Sequence, residues 1–220
     1  VLQNKINFCN WKEDSVSVGA GYSFALLGSQ SSRKGYTGLE FASGIPASVG
    51  GAIIMNAGAN GSETAHSLSS VSYLHFDGTI SEYKTEDLTF GYRFSPFQKM
   101  KGAILSATFT LKPLRAARET QLKMIQHRMK TQPLKEKSIG CIFRNPAIDV
   151  SAGALIERCD LKGFYIGDAK VSEIHGNFIV NKRNATAQDV LQLIEKVQAT
   201  VYEKTNILLE VEIQIFNDIN

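Results

Sequence analysis

Nothing in this sequence supplies the external staples or anchors that hold many proteins together. Its three cysteines, Cys9, Cys141 and Cys159, are odd in number and lack CxxC spacing, which argues against a disulfide framework or a zinc site and for a reducing, cytoplasmic setting. No metal site is expected. No apolar run nears the ~18 residues needed to cross a bilayer, and the opening VLQNKINF lacks a basic leader ahead of an apolar core, so a soluble, untargeted protein is expected. The 24 basic and 21 acidic residues are spread along the chain without arms or runs. That spread, with a net charge of only +3, gives no footprint for nucleic acid but leaves room for an anionic small molecule. Internal repeats and low-complexity tracts are missing, as are the G-x-G-x-x-G and P-loop nucleotide fingerprints. Nothing points to a protein partner. The chain also lacks an initiating Met and starts inside what reads as a strand, which suggests a fragment.

What is present is an ordinary globular composition, 220 residues with 43% hydrophobic and 20% charged, enough for one large domain or two small ones. Residues 1–21 read as a hairpin, with apolar runs at 6–8 and 16–18 around a polar patch, and residues 24–31 fit a short helix. Residues 43–63 are dense in glycine (Gly44, Gly50, Gly51, Gly58 and Gly61), which disfavours a regular helix or strand and predicts loops. Antiparallel strands follow: VSYLHF, an Asp77-Gly78 turn, TISEY, and ILSATFTL. Beyond Pro113 the texture changes. Residues 115–130 place Leu122, Ile125 and Met129 at helical spacing, predicting an amphipathic helix. Ser151 is a candidate cap for a short helix, YIGDAKVSEIHGNFIVN offers two strand-like pieces, and Thr186 with Asp189 resembles a capping box. The last segment, ILLEVEIQIF, alternates as a strand, with Glu210, Glu212 and Gln214 on one face. The expected class is α+β, divided near residues 113–118.

Several side chains stand out for their chemistry. In KSIGCIFRNP, Cys141 follows a glycine and lies near Arg144 and Asn145, a setting that can tune a thiol, although a buried structural cysteine is the commoner case. Arg93 sits among Phe90, Tyr92, Phe94 and Phe97, either stacked on rings or poised as an anion clamp. The glycine-rich stretch could present N–H groups, with the Asn56 amide, to phosphate or to the edge of a flat cofactor, or could simply make tight turns. His175 lies between two strand-like pieces, where a structural histidine is the usual reading.

Taken in order, SGIPASVGGAIIMNAGANG, FGYRFSPF, SIGCIFRNP, IGDAKVSEIHGNFIVN and LLEVEI resemble UDP-N-acetylenolpyruvoylglucosamine reductases over essentially the whole chain, in the form lacking an extra substrate loop. The resemblance implies a bipartite FAD-binding domain, here residues 1–113 and N-terminally incomplete, followed by an α+β substrate-binding domain at 114–220 whose last strand reaches the active site. It implies FAD reduced by NADPH, with hydride passing to one carbon of an enolpyruvyl UDP-sugar and a proton to the other, in peptidoglycan synthesis. Arg93 and Glu212 then match the cation and acid beside the substrate carboxylate, and Cys141 the proton donor, where the family usually has serine. Gly44, Ile45, Gly50, Gly51 and Asn56 match part of the FAD site. Asn145 matches a contact to the UDP portion, with Arg144 assisting at phosphate and His175 nearby. The family begins with a further glycine-rich subdomain, so the chain alone is expected to hold FAD poorly and to be inactive by itself. The alternatives are a UDP-sugar-binding fragment without catalysis and a thiol-dependent transferase using Cys141.

Overall fold

The computed structural model describes residues 5–147 and 149–215. Two compact units divide between Arg128 and Met129. In the first unit the opening hairpin forms as β1 (Cys9–Trp11) and β2 (Ser15–Gly19), three residues further on than the apolar run at 6–8 suggests. The start of that expected hairpin, residues 1–4, lies outside the described residues. Helix α1 (Phe24–Arg33) begins at a Ser23 cap whose side chain accepts from Leu26 N. Two-residue strands β3 (Tyr36–Thr37), β4 (Gly58–Ala59) and β5 (Ser62–Glu63) border helix α2 (Val49–Ile54). Long strands β6 (Leu68–His75), β7 (Ile80–Lys84) and β8 (Gly102–Thr110) follow, and β9 (Lys112–Pro113) pairs with β3.

The resulting five-stranded antiparallel sheet runs β1-β2-β8-β6-β7. Alternation on β2 sends Val16 and Val18 inward to meet Phe109 of β8, Val71 of β6 and Phe24 and Leu27 of α1 in one core. Helix α2 departs from the loop expected for residues 43–63. Gly50 and Gly51 lie in its first turn, and a Cβ on Gly50 would come 3.1 Å from that of Ala20, so the glycine serves close packing against the strand end.

Helix α3 (Ala117–Thr131) forms where its periodicity predicts, but of the predicted face only Ile125 is half-buried. Leu122 and Met129 are 41% and 64% exposed, whereas Ala117 and Gln121 are buried and Met124 packs on the first core. The inward stripe is therefore residues 117, 121, 124 and 128, and it contains a glutamine and an arginine that hydrophobic periodicity overlooks. The first turns of α3 belong to the first unit, so compactness changes downstream of the Pro113 texture break.

The second unit is a four-stranded antiparallel sheet with two helices. Its elements are β10 (Lys137–Cys141), α4 (Ala152–Arg158), β11 (Tyr165–Ile166), β12 (Ala169–Val171), β13 (Phe178–Asn181) and α5 (Ala187–Thr205), with the sheet ordered β10-β13-β12-β11. Three strands occupy the stretch where the sequence offered two. Thr186 and Asp189 close a capping box on α5, whose Leu193, Ile194, Val197 and Val201 are buried with Leu155 and Ile156 of α4. After Asn206, at φ 56° in the left-handed region, the expected final strand runs extended but makes a single bridge, Val211 to Phe143. Its alternation holds at buried Leu209 and exposed Glu210 and then fades: Val211, Glu212 and Ile213 are all half-buried, with Val211 and Ile213 packed on the second core, and Ile215 is exposed. Phe216 lies outside the described residues.

Candidate active site

Cys141 ends β10 at a β-bulge. The ladder pairs Ser138 with Val180 and then Cys141 with Phe178, so Ile139 and Gly140 face the single residue Ile179. Gly140 adopts φ 93°, which a residue bearing a Cβ reaches only with strain. Such a bulge reorients the side chain that follows it. Cys141 is half-buried and is not disulfide-bonded.

Immediately after the thiol, Phe143 bridges Val211, Glu212 N donates to Ile142 O at 2.8 Å, and Arg144 N donates to Glu210 O at 2.8 Å. Glu212 thus runs alongside the residue next to Cys141, and the structure brings these two predicted site residues into adjoining, bonded segments. The same pairing sets Arg144 on Glu210, guanidinium to carboxylate at 3.3 Å. Asn145 turns its amide oxygen to Ala152 N, 3.1 Å away, joining Ser151 in capping α4.

His175 precedes β13. Its ring meets Phe178 edge-on at 4.9 Å, and its Nδ1 accepts from Asn177 N at 3.2 Å, which requires that nitrogen to be unprotonated. Burial first, and then the charge of Lys162, lower its pKa from the ordinary 6.5. Asn177, absent from the sequence-based candidates, makes two bonds to Phe143: its amide oxygen accepts from Phe143 N at 2.9 Å and its amide nitrogen donates to Phe143 O at 2.8 Å. HGNFIVN carried no signal for this role, because asparagine in a strand-edge turn is unremarkable by composition.

In the first unit Arg93 occupies a tight turn in which Gly91 and Phe94 exchange backbone hydrogen bonds. Arg93 itself has φ 54°, a conformation costing a non-glycine residue about 1 kcal/mol. The turn is held from the end of α2: Ser95 Oγ and Gln98 Nε2 donate to Ile54 O, and Gln98 Nε2 also donates to Arg93 O. Asn56 Nδ2 donates to Gly91 O at 2.9 Å. The guanidinium lies 5.0 Å from the Tyr92 ring centroid.

The cofactor residues proposed from sequence take a different form from that expected. At the start of α2 the amides of Val49, Gly50 and Gly51 donate to Tyr22 O, Ala20 O and Ser48 Oγ, so these glycines do not present a free phosphate cradle. Asn56 is 0% exposed, with its oxygen accepting from Ala65 N as well, so it shapes the surrounding loops and does not reach outward. Beside Gly44 and Ile45 the requirement is open: Glu40 Oε1 and Ser43 Oγ are buried without a hydrogen-bond partner. The Arg128 side chain packs against Gly44, its Cδ 2.9 Å from where a Cβ on that glycine would stand, and leaves a cavity of only about 10 Å³, so these atoms do not by themselves show a place for a flat cofactor. Among the described residues no group of three or more His, Cys, Asp or Glu could hold a metal ion, and no helix is long and apolar enough to cross a membrane.

Comparison with known proteins agrees with both units. A family model described as an FAD binding domain matches residues 3–84, and one described as the C-terminal domain of UDP-N-acetylenolpyruvoylglucosamine reductase matches residues 132–216. A reductase of that name from Protochlamydia amoebophila is 55% identical over 97% of this chain and 72% of its own length, and one from Chlamydia muridarum is 48% identical over 98% and 72%. The crystal structure of the Thermus caldophilus reductase superposes with a TM-score of 0.79 at 40% identity, over 91% of this chain and 72% of that one. An FAD domain joined to this α+β unit defines a flavin-dependent oxidoreductase. The chain belongs to the UDP-N-acetylenolpyruvoylglucosamine reductase family. The activity that goes with this membership is the FAD-dependent, NADPH-driven reduction of UDP-N-acetylenolpyruvoylglucosamine in peptidoglycan synthesis.

Proposed function

We propose that in this reduction Cys141 is the proton donor, Glu212 the acid and Arg93 the cation serving the substrate carboxylate. When bound and reduced by NADPH, FAD would supply hydride chemistry at one vinyl carbon of the enolpyruvyl group. Arg93 and Glu212 stabilise the negative charge that then grows on the carboxylate, and the Cys141 thiol passes its proton to the other carbon. The thiolate left behind regains a proton from solvent. The single observation that carries this reading is the pairing of the 142–144 and 210–212 segments, which sets Glu212 beside Ile142 just beyond the bulge that aims Cys141.

The first unit is assigned to FAD through the backbone at Gly44 and Ile45, with Gly50 and Gly51 anchoring the start of α2 through their bonds to Ala20 O and Ser48 Oγ and Asn56 fixing the loops around them. The second is assigned to the UDP-sugar, with Asn145 and Arg144 toward the UDP portion and His175 nearby. We place the protein in the cytoplasm, where free thiols stay reduced, acting on its small-molecule substrate without nucleic-acid, membrane or protein partners.

The test is substrate-dependent NADPH oxidation by the FAD-loaded enzyme. Cys141→Ser should keep a large part of kcat, because a hydroxyl can deliver the same proton. Cys141→Ala should lose roughly 10²- to 10⁴-fold, the usual contribution of a positioned proton donor. Full activity of the alanine variant would refute the assignment, and a serine variant as inactive as the alanine one would favour a thiol nucleophile.

A further inference from the structure

The segment holding the proposed donor is gripped from both sides, and one grip comes from a side chain. Ile142 N donates to Asn177 O at 3.0 Å, Phe143 N donates to Asn177 Oδ1 at 2.9 Å, and Asn177 Nδ2 donates to Phe143 O at 2.8 Å. Beyond the bulge, where the β10–β13 ladder has ended, Asn177 thus bonds through its backbone and replaces the next ladder step with its own amide. On the other side Ile142 O and Arg144 N bond to Glu212 N and Glu210 O. Asn177 is 3% exposed, and its backbone N–H is occupied by His175 Nδ1.

We infer that Asn177 is a positioning residue for the reduction: by clamping Phe143 it fixes both the aim of Cys141 and the register of Glu212. This rests on Cys141 and Glu212 being the reacting groups, as proposed above. An asparagine is specifically suited, because a buried backbone N–H and C=O on one residue need an acceptor and a donor together, and one amide provides both.

That chemistry gives a test beyond simple loss of activity. In Asn177→Asp the carboxylate can accept from Phe143 N but repels Phe143 O. When protonated, the same carboxyl donates to Phe143 O and restores both bonds. Burial raises a carboxyl pKa, so the protonated form is reached within the range of the assay. In the FAD-loaded enzyme at about pH 8, kcat per bound flavin should fall roughly a hundredfold, the scale on which ~1 Å of misplacement acts. KM for NADPH should stay unchanged. The ratio of variant to wild-type kcat should climb as the pH is lowered toward about 5.5, within the range reported for buried carboxyls. Iodoacetamide labelling of Cys141, mapped by mass spectrometry, should speed up several-fold in the variant at the higher pH as the segment loosens.

Wild-type kcat and labelling in a folded Asn177→Asp enzyme would overturn the inference, as would a kcat ratio independent of pH. Should the variant fail to fold, hydrogen exchange in the wild type decides. The Phe143 amide should be protected like the β13 ladder, and exchange as fast as in an exposed loop would overturn the clamp. Cys141→Ala run alongside separates the two layers. Full activity there removes the reading beneath the inference and overturns both, whereas an inactive Cys141→Ala beside a normal Asn177→Asp overturns the clamp alone.

Discussion

A thiol that must hand over a proton has to keep it until the substrate is bound, so a donor cysteine is best served by neighbours that do not pull its pKa far down. The Arg144 guanidinium is engaged by the Glu210 carboxylate, which offsets the charge it brings to this part of the chain. The His175 imidazole carries no charge at pH 7 either, its pKa held below the ordinary 6.5 by burial and by Lys162. That shift has a consequence for stability. The unfolded chain protonates this histidine at a higher pH than the folded one does, so its neutral burial favours folding above about pH 6.5, and this contribution is lost as the pH falls through 6.5 toward the lower folded value. His175→Gln, which does not titrate, should flatten the fall in Tm below that pH relative to the wild type. Thermal melts across the acid range will check it, and an unchanged difference between the two proteins at every pH would count against it.

Among the secondary-structure elements, helix ends do much of the organising. Helix α4 starts where Asn145 and Ser151 take up the amides of Ala152 and Ala154, which ties the SIGCIFRNP motif to the second core. Helix α5 starts at the reciprocal pair in which Thr186 Oγ1 accepts from Asp189 N and Asp189 Oδ2 accepts from Thr186 N. Replacing Thr186 by alanine should cost about 1 kcal/mol, read as a drop of a few degrees in Tm. Thr186 lines one cavity with Ser138, Ile139 and Ile142 of the bulged segment, so kcat of the folded variant checks whether the cap acts on stability alone, and a retained kcat is expected if it does. Helix α3 shows the limit of periodicity: its inward stripe includes Gln121 and Arg128, and of the three apolar residues that define the helix on paper Leu122 and Met129 are left exposed while Ile125 is half-buried.

At the scale of the molecule, the described residues form two cores, one around Val16, Phe24 and Phe109 and the other around Leu155, Leu193 and Val197, and among those residues no side chain belongs to both. Leu193 is fully buried, and Leu193→Ala should remove about 2–5 kcal/mol through lost burial and the cavity left behind. Hydrogen exchange should locate the loss in α4, β12 and β13 while β2, β6 and β8 keep their protection. A uniform fall across both units would show that they unfold as one.

The hairpins, both helix caps and the long strands were legible in the sequence because each depends on residues a few positions apart: an Asp-Gly turn, a Thr with an Asp three residues later, an alternation of period two. The ordered motifs, together with family resemblance, also made Cys141, Glu212 and Arg93 legible as candidates. The Asn177 clamp was not, since it joins residues 34 apart whose meeting is decided by the bulge and by the way β13 folds back. Nor was the use of the α2 amides, which are consumed by carbonyls of a strand end and by Ser48 and so cannot serve a phosphate. Local chemistry fixed the capped helices, the Asp-Gly hairpin and the long strands, because backbone preference and capping act over one or two turns, whereas the final segment, with its strand-like alternation, makes only a single bridge. Partnership among buried polar groups was left to the tertiary structure, because only a closed core excludes water and makes each unsatisfied N–H or C=O costly enough to dictate its partner.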